Sequence, residues 1–431
     1  GGNYNVVVGD EAGTAITTGD NNTAVGKDAL KTEDAHGKNT AVGTNALEDL
    51  NAGADGENVA VGFDAGSEMT LGIKNVLVGS QAGDALTHAD FNVSVGMGSL
   101  TSDTLGSKSV AVGTFALLAQ NFTTDTDSHN TAVGNDAGKG ITTGVQNTLI
   151  GSSAGDAMTD ADHNVAVGLN TLGTNVLGSK STAVGTGALA TQNPATAINM
   201  YNVAVGYDAG VSVTTGQSNT LIGSLAGDAL TTPASNTAVG QNALGADTQG
   251  SNTTAIGAGA LQSQNFTTAT ESYNTAVGTY AGASVTTGQY NTLIGRASGD
   301  AITVGNSNTA VGQNALGADT KGDLNTAIGI GALQSQNFTT TTDSYNTAVG
   351  GFAGGNVTTG TNNTLVGGLA GNAITTGVQN TLIGSLSGDA LDVGNTNVAI
   401  GVSALGADTK GNSSVAIGSS ALRIQNMTTA T

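Results

Sequence analysis

The motif N-[TV]-x-[VI]-G constrains the fold of this chain more than any other feature, because it recurs along nearly the whole sequence. Its glycine appears 24 times, from Gly9 to Gly418. Most copies are separated by a 17-residue step, one copy by a 19-residue step and four by 21-residue steps, which end at Gly134, Gly206, Gly278 and Gly350. A 17-residue unit is thus nested in a 72-residue super-repeat of four units. A fixed period of this kind is the signature of a repeat architecture.

Each copy of the motif has the composition of a short strand. Its second position is Thr or Val and its fourth is Val or Ile in every copy, and these β-branched residues favour strands over helices. The position between them is Ala in most copies and Leu in six, as at Leu149, so both faces of the strand are apolar. Such strands are normally covered on both faces. The glycine then ends the strand, where a positive φ has no steric cost.

The asparagine that opens the motif predicts a ladder of stacked side chains. Asn occupies this position in 20 of the 24 copies. In stacked coils each amide can hydrogen-bond to the same residue one coil away, and an Asx turn that caps each strand is a compatible alternative. The ladder positions predicted for three copies are Asn130, Val133, Gly134, Asn147, Ile150, Gly151, Asn274, Val277 and Gly278.

These patterns predict an all-β fold, a parallel β-solenoid (β-roll) of about 24 coils. We expect residues 1–431 to form a single repetitive shaft that is a fragment of a longer fibre. Each coil adds about 4.8 Å of rise, and helical repeats are disfavoured because the unit lacks a 3.6-residue apolar period. The fourth residue after the motif glycine is always Gly or Leu. In a mirrored pattern, Gly is followed by an apolar residue three positions later and Leu by a polar one in 23 of the 24 copies, and Leu47 with Leu50 is the exception. We infer that one apolar pocket per coil is filled from either of two backbone positions.

A narrow coil has only one inside, so a strand that is apolar on both faces leaves one apolar face outside. We assign the Ala/Leu face to the outside and expect it to need cover. The sequence therefore predicts a homotrimer of parallel chains that meet through this face, with end-to-end stacking of subunits as a further expectation.

The four long steps of the repeat place their additional residues at the same point of the coil. Insertions in solenoids map to loops on one face, often the binding face. The functional interpretation is a row of aromatic contacts to a cell-surface glycan or receptor. The structural alternative is that Phe folds back over the corner of the coil and Tyr stacks on the next coil. The candidate binding residues in these loops are Phe122, His129, Tyr201, Phe266, Tyr273, Phe338 and Tyr345.

Composition argues against several other functions. The net charge of −21 disfavours nucleic acid or an anionic membrane as partner, and no segment is apolar enough to span a bilayer. The four His residues occupy unmatched positions of the repeat and no acid pair recurs, so we predict no catalytic site, metal site or cofactor, and no enzyme. Five aspartates recur in G-D-A segments, where we expect solvated turn residues rather than calcium ligands; they are Asp84, Asp156, Asp228, Asp300 and Asp389. Paired threonines, as at Thr17-Thr18 and Thr142-Thr143, keep ice binding as a minor alternative.

The motif resembles the head repeats of trimeric autotransporter adhesins, as Ser414-Val415-Ala416-Ile417-Gly418 shows. The longer form N-T-A-[VI]-G-x-x-A-[GL], as in residues 274–282, is similar to repeats of phage tail fibres and of large surface proteins of aquatic bacteria. The resemblance covers essentially the whole chain, and it implies a trimerising β-roll at an extracellular location, on a virion or cell surface. The repeat unit of the adhesin heads is shorter than the unit of this chain.

The function that these observations favour is that of a structural fibre or shaft segment of a phage tail fibre or a bacterial surface adhesin. It would act as a rigid spacer and would present receptor- or glycan-binding loops. A self-assembling secreted filament protein is the alternative.

Overall fold

A computed structural model of the chain describes residues 2–427 and Thr429. It confirms the predicted fold class: the chain is an all-β parallel β-solenoid of about 24 turns, and the residues described contain no helix. The chain divides into two compact units, Gly1–Gln217 and Ser218–Thr431. Each unit has its own parallel ladder of three-residue strands, one strand per coil.

The first unit contains sixteen strands, of which four have two residues and twelve have three. They are β1 (Val6–Val8), β2 (Thr23–Val25), β3 (Thr40–Val42), β4 (Val59–Val61), β5 (Val76–Val78), β6 (Val93–Val95), β7 (Gly106–Ser107), β8 (Val110–Val112), β9 (Thr126–Asp127), β10 (Thr131–Val133), β11 (Thr148–Ile150), β12 (Val165–Val167), β13 (Gly178–Ser179), β14 (Thr182–Val184), β15 (Ile198–Asn199) and β16 (Val203–Val205).

The second unit repeats this arrangement with sixteen further strands. They are β17 (Thr220–Ile222), β18 (Thr237–Val239), β19 (Gly250–Ser251), β20 (Thr254–Ile256), β21 (Thr270–Glu271), β22 (Thr275–Val277), β23 (Thr292–Ile294), β24 (Thr309–Val311), β25 (Gly322–Asp323), β26 (Thr326–Ile328), β27 (Thr342–Asp343), β28 (Thr347–Val349), β29 (Thr364–Val366), β30 (Thr381–Ile383), β31 (Val398–Ile400) and β32 (Val415–Ile417).

Within each unit the three-residue strands pair in parallel with their neighbours along the chain, and equivalent positions of the motif lie side by side. Thr131 pairs with Thr148, Ala132 with Leu149 and, one position on, valine with isoleucine. The same register joins β22 to β23 and β23 to β24 in the second unit. Because the register never slips, each motif position forms a continuous file of identical or similar side chains along the unit.

The prediction that the Ala/Leu face is the outer one is wrong. Ala132 and Leu149 are fully buried, whereas Thr131 and Val133 on the opposite face are half-buried and Ile150 is 39% exposed. The narrow interior accepts one side chain per strand, and an outward threonine keeps its hydroxyl hydrated instead of burying it. The outer face of the ladder is therefore the Thr/Val and Val/Ile face.

The motif glycines stack directly on one another, which explains their fixed spacing. Gly134 has φ of 141°, and a Cβ atom at this position would lie 2.5 Å from the carbonyl oxygen of Gly151. Gly278 has φ of 138° and stands in the same relation to Gly295. Any side chain here would meet the backbone of the next coil, so these positions require glycine on two independent grounds, the φ angle and the close approach.

The asparagines form a buried ladder whose main hydrogen bonds run from backbone to side chain. Asn147 donates its N–H to Oδ1 of Asn130 at 2.9 Å, and its own Oδ1 accepts from the N–H of Asn164 at 3.0 Å. Its Nδ2 donates to the carbonyl of Ala161 at 2.8 Å. Each amide therefore satisfies a buried backbone donor and a buried backbone acceptor of the following coil, which is the requirement for burying polar groups.

The position occupied by Gly or Leu is left-handed with either residue. Gly138 has φ of 59° and Leu117 has φ of 51°. A Cβ on Gly138 would lie 2.9 Å from Cδ2 of Leu117 in the preceding coil and 3.2 Å from Cδ1 of Ile141. The same interior space is thus filled by the leucine of one coil and by the apolar residue three positions after the glycine of the next coil. This arrangement is the one that the mirrored pattern indicates.

Candidate functional site

The four long coils each add a two-residue strand outside the main ladder. In the first unit β9 pairs with β7 and β15 with β13; in the second unit β21 pairs with β19 and β27 with β25. Each added strand is parallel to its partner and precedes the next ladder asparagine by a few residues. The insertions are therefore ordered extensions of the coil.

The phenylalanines of these insertions are not available to a ligand, contrary to their prediction as candidate binding residues. Phe122, Phe266 and Phe338 are only 5%, 4% and 6% exposed. A Cβ built on Gly106 would lie 2.7 Å from Cδ2 of Phe122, and one built on Gly250 would lie 2.9 Å from Cδ2 of Phe266. The rings pack against glycines that leave room for them, so they belong to the core at the corner of the coil.

The other predicted loop residues lie on the surface. His129, Tyr201, Tyr273 and Tyr345 each directly precede a ladder asparagine and have φ between 49° and 53°. The three tyrosines are 54%, 47% and 53% exposed, and His129 is exposed as well. The left-handed backbone turns these side chains outward. We call the position before the ladder asparagine, taken over successive coils, the turn file.

Side chains of neighbouring coils contact one another along the turn file. In the second unit the rings of Tyr273 and Tyr290 stack with centroids 5.5 Å apart and planes inclined by 19°. In the first unit the ammonium of Lys180 lies 5.7 Å from the ring centroid of Tyr201. An exposed aromatic stack of this kind offers a flat apolar platform with polar hydroxyl groups at its rim.

A surface hollow of about 490 Å³ adjoins the turn file in the second unit. Its wall includes Asn252, the Glu271 carboxylate and the hydroxyl-bearing Ser235, Ser251 and Thr270. The phenol of Tyr273 donates a hydrogen bond to Glu271, and this bond raises the pKa of Tyr273. Hydroxyl, amide and carboxylate groups beside an aromatic platform can hydrogen-bond a polar ligand and stack against it.

A buried chain of polar side chains carries the asparagine ladder across the insertions. In the second unit Gln264 donates from Nε2 to Oδ2 of Asp247 at 2.6 Å, and its Oε1 accepts from Nδ2 of Asn274 at 2.8 Å. Asp319, Gln336 and Asn346 repeat this arrangement. The mirrored pattern identified the positions as polar, but it did not indicate that the aspartate and the glutamine of successive coils pair.

The buried carboxyls make the stability of the fold depend on pH. Burial raises the pKa of Asp247 and Asp319, although Gln264 and Gln336 and nearby backbone N–H groups act in the opposite direction. The folded chain then binds more protons than the unfolded chain between the ordinary and the raised pKa. The contribution of these carboxyls to the free energy of unfolding is therefore highest below the ordinary carboxyl pKa, about 4, and falls as the pH rises through the raised value.

We expect the double variant Asp247→Asn/Asp319→Asn to show a smaller loss of stability between pH 4 and pH 7 than the unmodified chain. Urea unfolding followed by circular dichroism at both pH values measures the difference. Asp125→Asn, at an exposed position, is the matched control and should leave the pH dependence unchanged. An equal pH dependence in the double variant and the parent would contradict the assignment.

In the part of the chain that the structure describes, acidic and histidine side chains also come together at one place in the first unit. Glu33, Asp34 and His36 place potential ligand atoms within 4.8 Å of one another, and Nδ1 of His36 lies 3.6 Å from Oε1 of the buried Glu33. The repeat pattern gave no sign of further ligands near His36, because equivalent positions of other repeats hold no histidine. The local string Glu33-Asp34-Ala35-His36 was the available signal.

No known protein-family model matches the chain, and no curated protein matches it in sequence. Within residues 2–427 and Thr429 there is no helix with the length and apolar character needed to cross a bilayer.

Proposed function

We propose that the chain is a structural shaft segment of an extracellular fibre, a phage tail fibre or a bacterial surface adhesin, and that it assembles as a homotrimer of parallel chains. The observation that carries this proposal is the outer face of the strand ladder. Its outward positions hold only Thr, Val and Ile, without a charged side chain in any of the 24 strands. The partner chain meets the Thr/Val and Val/Ile face, because the Ala/Leu face that the sequence assigned to it is buried.

The outer face has the size and character of an interface. In each unit twelve strands spaced by about 4.8 Å, each about 10 Å long, offer on the order of 600 Å², close to the roughly 800 Å² that one partner contributes to a standard interface. Isoleucines are more than a third exposed on it, as at Ile294 and Ile328. Exposed apolar side chains also follow the motif glycine in several coils; these are Phe63, Met97, Leu169 and Tyr207 in the first unit and Ile330 and Val402 in the second.

A second copy of the same chain is the partner that fits this face best. A parallel copy presents the same 17-residue spacing, so its files of Val and Ile meet equivalent files coil by coil. Monomeric proteins seldom expose apolar patches larger than a few hundred Å². The resemblance to trimeric adhesin heads selects three copies, and the exposed tyrosines of the turn file then become the contacts that we propose for a surface glycan or receptor.

One observation favours a second candidate function, ice binding. In the second unit ten consecutive strands, from β17 to β30 without the two-residue strands, place a threonine in the first outward position, which forms a regular hydroxyl file. The paired threonines that suggested ice binding in the sequence lie in the turns and not in the strands. Ice binding requires this face to be free, whereas a shaft trimer buries it, so the two functions exclude each other on the same face.

Light scattering after size-exclusion chromatography separates these functions. We expect the full chain to have the mass of three chains at low micromolar concentration, and Ile294→Lys/Ile328→Lys to shift it toward one chain because charges would be buried in the interface. Ser307→Lys is the matched control, since the turn file carries lysine elsewhere, as at Lys180. A stable monomer that shows thermal hysteresis would contradict the shaft function and support ice binding.

A further inference from the structure

Three equivalent surface grooves occur in the second unit, outside the insertions and the strand ladder. One, of about 280 Å³, is lined by Asp300, Asn314, Gly317, Ala318, Gln334 and Ser335. The same six positions, one super-repeat earlier, line a groove of about 260 Å³ at Asp228. A third groove of about 280 Å³ occurs five coils after the first, at Asp389, where Ser403 replaces the asparagine and Arg423 replaces the glutamine. We call these the Asp grooves.

The aspartate of each groove is a turn residue that is only partly exposed to solvent. Asp300 and Asp389 are half-buried, and burial raises the pKa of both. In the Asp300 groove the carboxylate comes from one coil, Asn314 from the next, and Gln334 and Ser335 from the coil after that. Three successive coils thus combine an anionic acceptor with two carboxamides and a hydroxyl.

The first unit shows what the groove accepts. Asp84 occupies the position of Asp228 in an earlier super-repeat, and there the hydroxyl of Thr101 donates a hydrogen bond to its carboxylate. The second unit has glycine at the position of Thr101, namely Gly245, Gly317 and Gly406. A Cβ on Gly245 would lie 3.3 Å from Oδ1 of Asp228, and one on Gly406 would lie 3.4 Å from Oδ1 of Asp389. Glycine therefore opens the space that the threonine hydroxyl fills beside Asp84.

We propose that the Asp grooves of the second unit are binding sites for the hydroxyl groups of a neutral glycan, which take the place that the Thr101 hydroxyl occupies beside Asp84. The carboxylate accepts from one or two sugar hydroxyls in a charge-assisted hydrogen bond. The amides of Asn314 and Gln334 both donate and accept, which matches hydroxyl groups that do the same. The carboxylate disfavours an anionic glycan.

The repetition of the grooves favours a polymer as ligand. Four coils separate the Asp228 and Asp300 grooves and five separate the Asp300 and Asp389 grooves, which corresponds to roughly 19 Å and roughly 24 Å at the strand spacing. A small groove binds one sugar weakly, but sites on one ligand chain raise the apparent affinity through effective concentration. These grooves are separate from the outer face of the ladder and from the turn file, so the inference does not rest on the trimer.

The test uses the full chain on an array of neutral oligosaccharides and polysaccharides of hexoses and N-acetylhexosamines, followed by biolayer interferometry with the glycan that gives the strongest signal. The variant Gly245→Thr/Gly317→Thr/Gly406→Thr fills each groove with a threonine side chain, as Thr101 does beside Asp84; we call it the plugged variant. None of these glycines has the left-handed φ that would strain a threonine. We expect the apparent affinity to fall at least tenfold.

Two further variants make the result specific. Gly368→Thr, where a Cβ would meet nothing within 4 Å, should bind as the parent does. Asp300→Asn/Asp389→Asn, which keeps the shape of the grooves, should weaken binding. The proposal is overturned if no neutral glycan binds, or if the plugged variant binds as tightly as the parent. If Tyr273→Ser/Tyr345→Ser loses glycan binding and the plugged variant does not, the binding site lies in the turn file. That result would also overturn the proposal.

Discussion

Replacing Gly278 with alanine is expected to destabilise the second unit by about 2–6 kcal/mol, the sum of backbone strain and steric overlap. The φ of 138° at this position is one that residues with a Cβ rarely adopt, and the new atom would lie 2.5 Å from the oxygen and 2.7 Å from the carbon of the Gly295 carbonyl. Backbone strain of this kind costs about 1–3 kcal/mol, and forcing added atoms into a packed site costs a similar amount. The contact is backbone and cannot rotate away.

Hydrogen exchange followed by mass spectrometry measures this effect best, because repeat proteins lose stability locally. We expect faster exchange in the coils that contain β22 and β23, and a lower urea midpoint for the unit. Gly351→Ala is the matched control, since its Cβ would meet nothing within 4 Å, and it should change stability by less than about 0.5 kcal/mol. If the two variants unfold alike, the stacking of motif glycines does not limit the fold.

The spacing of these glycines shows why the fold could be predicted from the sequence. The regular spacing of the motif glycines in the sequence gives the number of residues per coil. The β-branched residues before each glycine predict the strand. The structure places a three-residue strand at all 24 copies of the motif. Local chemistry and repeat period agree here, so no tertiary information was needed.

The direction in which the strand faces could not be derived in the same way. A strand with valine at one position and alanine at the next is apolar on both sides, and hydrophobic alternation decides the register only where one face is polar. The deciding factor is the width of the coil interior, which admits Ala132 or Leu149 beside the buried Ala137. That width depends on how the corners close, and the sequence pattern does not state it.

The roles of the aromatic residues in the insertions could not be predicted from the sequence either. Phe266 and Tyr273 lie in one insertion, yet one is buried and the other is about half exposed. Gly250 of the preceding coil provides the space for the phenyl ring, and the left-handed φ of Tyr273 turns the phenol outward. Both causes act between coils or through the backbone, so composition alone left both outcomes open.

The Asp grooves illustrate the same limit for a candidate site. The recurrence of the G-D-A aspartates was visible in the sequence, but their burial was not. A groove exists at Asp228 because Gly245 of the following coil lacks the side chain that Thr101 supplies over Asp84. Comparing equivalent positions of successive super-repeats in pairs of adjacent coils, rather than within one coil, would have found this difference.

Replacing Asn291 with leucine is the second change with a large expected effect, because it removes a buried hydrogen-bonding group of the ladder without removing volume. Asn291 is fully buried. Its Oδ1 accepts from the N–H of Asn308 at 3.0 Å, and its Nδ2 donates to the carbonyl of Gly305 at 2.9 Å. Each buried backbone group left without a partner costs about 1–3 kcal/mol, so the variant should lose about 2–6 kcal/mol.

The chain itself indicates which substitution is tolerated and why leucine is not. Thr253 replaces the ladder asparagine one coil before an insertion, and there the Ser272 hydroxyl accepts from the N–H of Asn274 in place of an asparagine oxygen. The Thr253 hydroxyl itself bonds to the side chains of Ser272 and Gln264. No insertion follows the coil of Asn291, so that compensation is absent. Thr253→Asn is therefore the comparison variant, and we expect it to change the urea midpoint far less than Asn291→Leu does. Equal losses would mean that side-chain volume, and not the hydrogen bonds to the next coil, holds the ladder together.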